Sequence, residues 1–176
     1  MRKIPNSELN RLSVEEYRRA DKLPIVVVAD NVRSLHNVGS IFRTCDAFAV
    51  SGIYLCGITA APPNKEIHKT ALGAEDSVPW KYFSDIAVAL QELRDSGFTI
   101  LAVEQVEGAD MLDKVTVSSD KKYALIFGNE VKGVSEEALV YCGGAIEIPQ
   151  SGTKHSLNVS VSAGVVLWEF FRQLRR

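Results

Sequence analysis

The chain has few residues that could build a metal or redox centre, and it has no long hydrophobic run. Its three cysteines, Cys45, Cys56 and Cys142, lie far apart among apolar neighbours, which does not fit a zinc site or a redox pair. We therefore expect all three to be buried as small apolar side chains. No segment approaches the roughly 18 apolar residues of a membrane span, and the N-terminus lacks the apolar core of a secretory signal. These absences predict a cytoplasmic protein without a metal or a membrane partner.

The glycine signatures of the common nucleotide-binding and hydrolase folds are also missing. There is no G-x-G-x-x-G motif, which disfavours an ordinary dinucleotide-binding fold. Gly128 and Gly133 have the glycine spacing of a P-loop, but Val134 occupies the position of its lysine. No G-x-S-x-G motif is present, which disfavours an α/β-hydrolase.

The chain also lacks the overall basic surplus that nucleic-acid-binding proteins usually carry, because its net charge is −2. Its two ends are nevertheless basic. Residues 1–22 contain six basic and four acidic side chains, and the C-terminus closes with Arg172, Arg175 and Arg176. Each basic end is compatible with a solvated helix face or with a contact to a polyanion.

Strand-like and helix-like patterns alternate along the chain, which is typical of an α/β protein with a mainly parallel sheet flanked by helices. The β-branched run of residues 24–30 predicts a strand buried on both faces. Further strands are predicted to begin at Ile53, Phe98, Tyr123 and Ala145. Helices are predicted over 37–50, 85–95 and 135–142, and from Ser156 onward. We expect 1–23 to form a short helical arm anchored by Leu12 and Tyr17, and 24–176 to form one domain.

Polar residues follow several predicted strands, at the sheet edge where parallel α/β proteins bind ligands. Candidate residues after the first strand are Asn31, Arg33, His36 and Asn37, and those after the fourth strand are Gly128, Asn129, Glu130 and Gly133. After the fifth strand, residues 148–158 form a Gly/Ser/Lys loop that leads into a helix opened by small and polar side chains. That opening is compatible with ligand contacts or with a capped, tightly packed helix. Three such loops at one edge predict a functional site.

Together these loops resemble the SpoU (TrmH-type) branch of the SPOUT superfamily, the RNA ribose 2′-O-methyltransferases. The first matching motif runs Asn37-Val-Gly-Ser-Ile-Phe-Arg43-Thr44. The second consists of Phe127, Gly128, Glu130 and Gly133, and the third of Ile148, Pro149, Gly152, Ser156, Leu157, Asn158, Val159 and Ser160. The order and spacing agree over about residues 24–173. Gln150 departs from the pattern, since the family often has methionine there.

The resemblance implies an S-adenosylmethionine (AdoMet) enzyme with a deep trefoil knot in its C-terminal third. It also implies a homodimer whose site takes residues from both subunits. Implied cofactor contacts are Val103, Gly128, Ile148, Ser156 and Leu157. Implied catalytic residues are Asn37, Arg43, Glu130, Ser156 and Asn158. Candidate RNA contacts are Arg33, His36 and Arg43.

The expected reaction is methyl transfer to a ribose 2′-hydroxyl, with guanosine in tRNA favoured as the target by this resemblance. Because arginine hardly ever loses its proton, we expect Arg43 to hold a phosphate and to stabilise the developing alkoxide instead of acting as a base. Three alternatives remain: the same reaction on ribosomal RNA, methylation of an RNA base or a small molecule, and a knotted protein that binds RNA without catalysis.

Overall fold

Within residues 1–5 and 8–175, which the computed structural model describes, seven strands form one parallel sheet. Asn6, Ser7 and Arg176 therefore lie outside the described residues, including one arginine of the basic C-terminus. The strands are β1 (Leu23–Asp30), β2 (Val50–Cys56), β3 (Trp80–Phe83), β4 (Phe98–Val103), β5 (Asp110–Met111), β6 (Lys122–Phe127) and β7 (Gly144–Glu147). Their order across the sheet is β3-β2-β1-β6-β4-β7-β5. The predicted α/β class with a mainly parallel sheet is confirmed.

Helices cover both faces of this sheet. They are α1 (Val14–Arg19), α2 (Leu35–Ala47), α3 (Lys65–Ala71), α4 (Ala74–Ser77), α5 (Ile86–Asp95), α6 (Glu136–Leu139) and α7 (Val159–Leu174). Along β1, Ile25 and Val27 face the cluster that contains α2 and α7, whereas Val26 and Val28 face α5 and α6. This alternation explains why β1 is apolar from Ile25 to Ala29, since successive side chains point into one or the other of two cores. None of the described helices is long and apolar enough to cross a membrane.

The helices on the α2 side approach one another closely because small residues lie at their contacts. A Cβ atom on Gly39 of α2 would lie 2.3 Å from the carbonyl oxygen of Ile67 in α3. Ala163 of α7 is fully buried in the same cluster as Phe42 of α2. These contacts fix the start of α2 and the start of α7 relative to the sheet edge.

Several element boundaries differ from the sequence prediction. Helix α2 ends at Ala47 and Ala49 has a φ of 50°, so β2 begins at Val50 instead of Ile53. Helix α7 begins at Val159 because the side chain of Asn158 caps it, which corrects the predicted start at Ser156. The pattern also missed α3, α4, β3 and β5, which are all short.

The N-terminal arm and the cysteines were predicted only in part. Among the described residues of the arm, Val14–Arg19 form an α-helix, and Leu23, the last residue of the predicted arm, belongs to β1. Tyr17 anchors the arm with 7% exposure, whereas Leu12 is 57% exposed and does not. Cys45 and Cys56 are fully buried, but Cys142 is only half-buried at the end of the turn after α6.

Candidate active site

Three loops enclose a cavity of about 670 Å³ at the carboxyl edge of the sheet. One wall is the end of β4, a second is the turn after β6, and the third is the segment that joins β7 to α7. All five residues predicted to bind the cofactor line this cavity: Val103, Gly128, Ile148, Ser156 and Leu157. Their contact with a ligand stays a prediction.

Glu130 connects the turn after β6 to the start of α2. One oxygen of its carboxylate accepts a hydrogen bond from the backbone N–H of Arg33 at 2.9 Å. The other accepts from the backbone N–H of Ser34 and from the side-chain amide of Asn37, both at 2.9 Å. Desolvation raises the pKa of Glu130, but these hydrogen bonds outweigh it and hold the pKa below its ordinary value. The carboxylate is therefore held ionised beside the first turn of α2.

Asn37 also contacts the third loop. Its side-chain oxygen accepts a hydrogen bond from the Asn158 amide at 3.1 Å. The Asn158 oxygen in turn accepts from the backbone N–H groups of Ser160 and Val161, which caps α7. Glu130, Asn37 and Asn158 thus form one chain of hydrogen bonds through residues from all three sequence motifs. Asn158 therefore caps the helix, as one interpretation of this opening expected, whereas the ligand contacts of the other interpretation stay a prediction.

The turn after β6 is tight enough to require glycine at two positions. Asn129 and Gly133 exchange two backbone hydrogen bonds of 2.9 Å, and Gly133 has a φ of 70°. A Cβ atom on Gly128 would lie 2.1 Å from the carbonyl carbon of Gly133. The Asn129 amide fixes the turn to the end of β1 by donating to the carbonyl of Asn31 at 2.7 Å.

Two further carboxylates hold this turn, and sequence reasoning missed both. Asp30 is fully buried at the end of β1 and accepts a hydrogen bond from the backbone N–H of Ser135 at 2.7 Å. Glu104 follows β4 and accepts from the backbone N–H of Val134 at 2.9 Å. Both lie at the carboxyl ends of predicted strands, so the rule that placed the other candidates at this edge could have found them.

The structure does not bring Arg43 into the same cavity. Arg43 lies almost two turns further along α2 than Asn37, and it lines a second cavity of about 550 Å³ with Arg11, Asp46 and Ser77. In one chain, therefore, the candidate catalytic arginine is separate from the candidate cofactor residues.

The two other candidate RNA contacts lie at the start of α2. The backbone of Arg33 donates to Glu130, and its side chain is exposed. His36 was expected in a loop but lies in the first turn of α2, where its Nε2 atom is 3.2 Å from the Oε2 atom of Glu66.

Comparison with known proteins decides which family this site belongs to. The model of the SpoU rRNA Methylase family matches residues 24–168. The chain belongs to the SpoU methylase family. A SpoU-family relative, the tRNA (guanosine(18)-2′-O)-methyltransferase of Thermus thermophilus, is 38% identical over 167 residues, which cover 95% of this chain and 84% of the relative.

Two solved structures extend the comparison. The A. aeolicus TrmH/SpoU tRNA modifying enzyme superposes with a TM-score of 0.79 at 31% identity, covering 91% of this chain and 81% of that one. The AdoMet-bound rRNA methyltransferase from Sinorhizobium meliloti has a TM-score of 0.79 at 28% identity, covering 90% of this chain and 60% of that one. The resemblance of the three sequence motifs to this family is confirmed.

Proposed function

We propose that the protein is an AdoMet-dependent RNA methyltransferase that acts on a ribose 2′-hydroxyl, with guanosine in tRNA as its substrate. The observation that carries this proposal is the hydrogen-bonded network of Asn37, Glu130 and Asn158, which joins the three family motifs beside one cavity. The Thermus relative is named for this reaction on tRNA. Ribosomal RNA is the second candidate, because the Sinorhizobium neighbour is an rRNA methyltransferase. With either RNA as its substrate, we propose the cytoplasm as the location of the protein.

The cavity suits AdoMet in size and chemistry. Its volume lies in the range of ordinary small-molecule sites. Apolar side chains of Val103, Ile148 and Leu157 and the bare backbone of Gly128 offer a surface for an adenosine, and the Ser156 hydroxyl is exposed. Once bound there, the cofactor supplies an activated methyl group on a sulfonium sulfur.

The chain's own residues then position the ribose and stabilise its charge. Glu130 and Asn158 fix Asn37 and the start of α2, so that the RNA-facing end of this helix stays in place against the cavity. Arg43 stays protonated, clamps a phosphate and stabilises the developing alkoxide, while an RNA phosphate oxygen or water takes the hydroxyl proton. Arg33 and His36, at the start of α2, contact the RNA as well.

A second copy of the chain is needed to bring Arg43 to this cavity. An apolar stripe of Val161, Val165 and Trp168, with exposures of 50%, 38% and 53%, runs along α7. Leu157, which is 40% exposed, lies just before the cap of this helix and lines the cavity. The spacing of Val161, Val165 and Trp168 places these three residues on one face of the helix, which predicts a homodimer interface. Because Leu157 lines the cavity directly before the helix that carries the stripe, a partner seated on the stripe lies beside the cavity, and its α2 supplies the arginine.

The C-terminal knot that the resemblance implies is part of this proposal. The order of the strands supports it, since β6 lies between β1 and β4, and the chain then passes β4 again as β7. From β7 the chain returns to the opposite part of the sheet, where α7 packs against α2. A path that doubles back in this way at the cavity is compatible with a threaded loop.

The test is methylation of defined RNAs. The purified protein is incubated with methyl-labelled AdoMet and transcribed tRNA or ribosomal RNA fragments, and digested nucleosides are separated by mass spectrometry. We expect 2′-O-methylguanosine from tRNA. Arg43→Ala should abolish transfer while leaving the Kd for AdoMet unchanged, and Arg94→Ala, on the opposite face of the sheet, should retain transfer. Methylated bases without methylated ribose, or full activity in Arg43→Ala, would overturn the proposal.

A further inference from the structure

Glu104 is the acidic side chain at the end of β4, and it lines the cavity. One of its oxygens accepts the backbone N–H of Val134, and the other accepts the backbone N–H of Gln105, both at 2.9 Å. A Cβ atom on Gly133 would lie 2.1 Å from the first of these oxygens, so the carboxylate is wedged against the turn after β6. Its charge is therefore fixed in position at the cavity wall. Each oxygen has a second acceptor position, which these two hydrogen bonds leave unused.

The charged side chains around the cavity are unbalanced. Among the described residues, Glu104, Glu130 and Glu147 line it, against a single cation, Lys132. Glu130 directs its oxygens to the start of α2, and Glu147 accepts a hydrogen bond from the Gln105 amide at 3.3 Å. Of the three carboxylates, Glu104 is the one clamped between two walls of the cavity, the end of β4 and the turn after β6. Low-dielectric walls strengthen the field of such a fixed charge.

We propose that Glu104 makes the cavity prefer the methyl-donor form of the cofactor over the spent form. This proposal rests on the proposed function. When the methyl group moves from sulfur to the ribose oxygen, the electron pair of the broken S–C bond stays on sulfur, and the hydroxyl proton leaves. The sulfonium cation of AdoMet thereby becomes the neutral thioether of S-adenosylhomocysteine, and the rest of the molecule is unchanged. An attraction to Glu104 that depends on the sulfonium charge is lost at that moment, which favours release of the product.

The experiment compares the binding of three ligands to the full-length protein by isothermal titration calorimetry. AdoMet carries the sulfonium, sinefungin carries an ammonium group close to the same place, and S-adenosylhomocysteine carries neither. The variant Glu104→Gln keeps an oxygen acceptor for the turn but removes the charge. Glu107→Gln removes the same charge from an exposed residue of the same segment that does not line the cavity, so it is the matched control.

We expect Glu104→Gln to reduce the preference for AdoMet over S-adenosylhomocysteine about tenfold, which corresponds to ~1.4 kcal/mol. In Glu104→Gln, the Kd values of AdoMet and of sinefungin should both rise, whereas the Kd of S-adenosylhomocysteine should stay the same. Glu107→Gln should bind all three ligands as the wild type does. Equal weakening of all three ligands would show a purely structural role for Glu104 and would overturn the inference, as would an unchanged ratio. A wild-type protein that binds none of the three would instead refute the proposed cofactor.

Discussion

Carboxylates at or just after the ends of strands hold neighbouring loops by hydrogen bonds at three places in this site. Asp30, Glu104 and Glu130 each accept backbone N–H groups from a neighbouring loop, at distances of 2.7 to 2.9 Å. An ionised acceptor makes a stronger hydrogen bond than a neutral one, so each carboxylate holds its loop firmly at the sheet edge. The residues nearest the proposed chemistry thus act chiefly by positioning.

Replacing Glu130 tests this role through its pH dependence. The folded-state pKa of Glu130 is below that of the unfolded chain, so the carboxylate stabilises the fold above the unfolded-state value of about 4.5, and this contribution is lost as the pH falls through the folded-state value. After discounting for exposure to solvent, we expect Glu130→Ala to lower the free energy of unfolding by about 1 kcal/mol at pH 7. Urea unfolding at pH 7 and near pH 3 measures the difference.

Near pH 3 the free energies of unfolding of the wild type and of Glu130→Ala should differ much less than at pH 7. Glu137→Ala removes an exposed carboxylate of α6 that makes no side-chain hydrogen bond to any described residue, and this control should leave the stability nearly unchanged at both pH values. A deficit in Glu130→Ala that is the same at both pH values would contradict a role for the ionised carboxylate.

At the level of elements, the residue that caps α7 also belongs to the hydrogen-bonded network of the proposed site. Asn158 caps the helix with its side-chain oxygen and donates to Asn37 with its amide nitrogen. Asn64 caps α3 with the same residue type, accepting from Glu66 and Ile67 at 2.9 and 3.4 Å, but it does not line the cavity. The chain therefore offers two asparagine caps that differ in their connection to the site.

We expect Asn158→Ala and Asn64→Ala to destabilise the protein by a similar amount, about 1 kcal/mol each, because each loses one helix cap. Only Asn158→Ala should also lose most methyl transfer, since it alone breaks the network with Asn37. Thermal unfolding and the RNA methylation assay together measure the two effects. If both variants lost activity equally, the loss would follow from stability alone and the network would have no separate role.

Element length explains which parts of the fold could be predicted. Strands β1 and β6 and helix α5 contain enough apolar residues for their periodicity to be read. Helix α4 and strands β3 and β5 have two to four residues, which is shorter than a readable period. The hydrogen bond from the backbone N–H of Ser135 to the Asp30 carboxylate joins residues 105 positions apart, and no local sequence pattern encodes such a contact.

At the level of the whole molecule, one chain assembles most of the proposed site but not all of it. Five candidate cofactor residues line one cavity, while Arg43 lines another. The motif spacing grouped Arg43 with the site, but sequence spacing carries no information on which copy of the chain an arginine serves. The exposed stripe on α7, a helix that begins at the cavity, is the structural feature that points to a second copy.

Subunit complementation tests this account most directly. Arg43→Ala and Glu130→Ala proteins, each inactive alone, are mixed after reversible dissociation and assayed for methylation of tRNA. If Arg43 serves the partner's cavity, each mixed dimer has one intact site, and an equal mixture should recover about one quarter of the wild-type activity. If Arg43 serves its own chain, both sites of every mixed dimer carry a defect, and the absence of recovery would contradict the account.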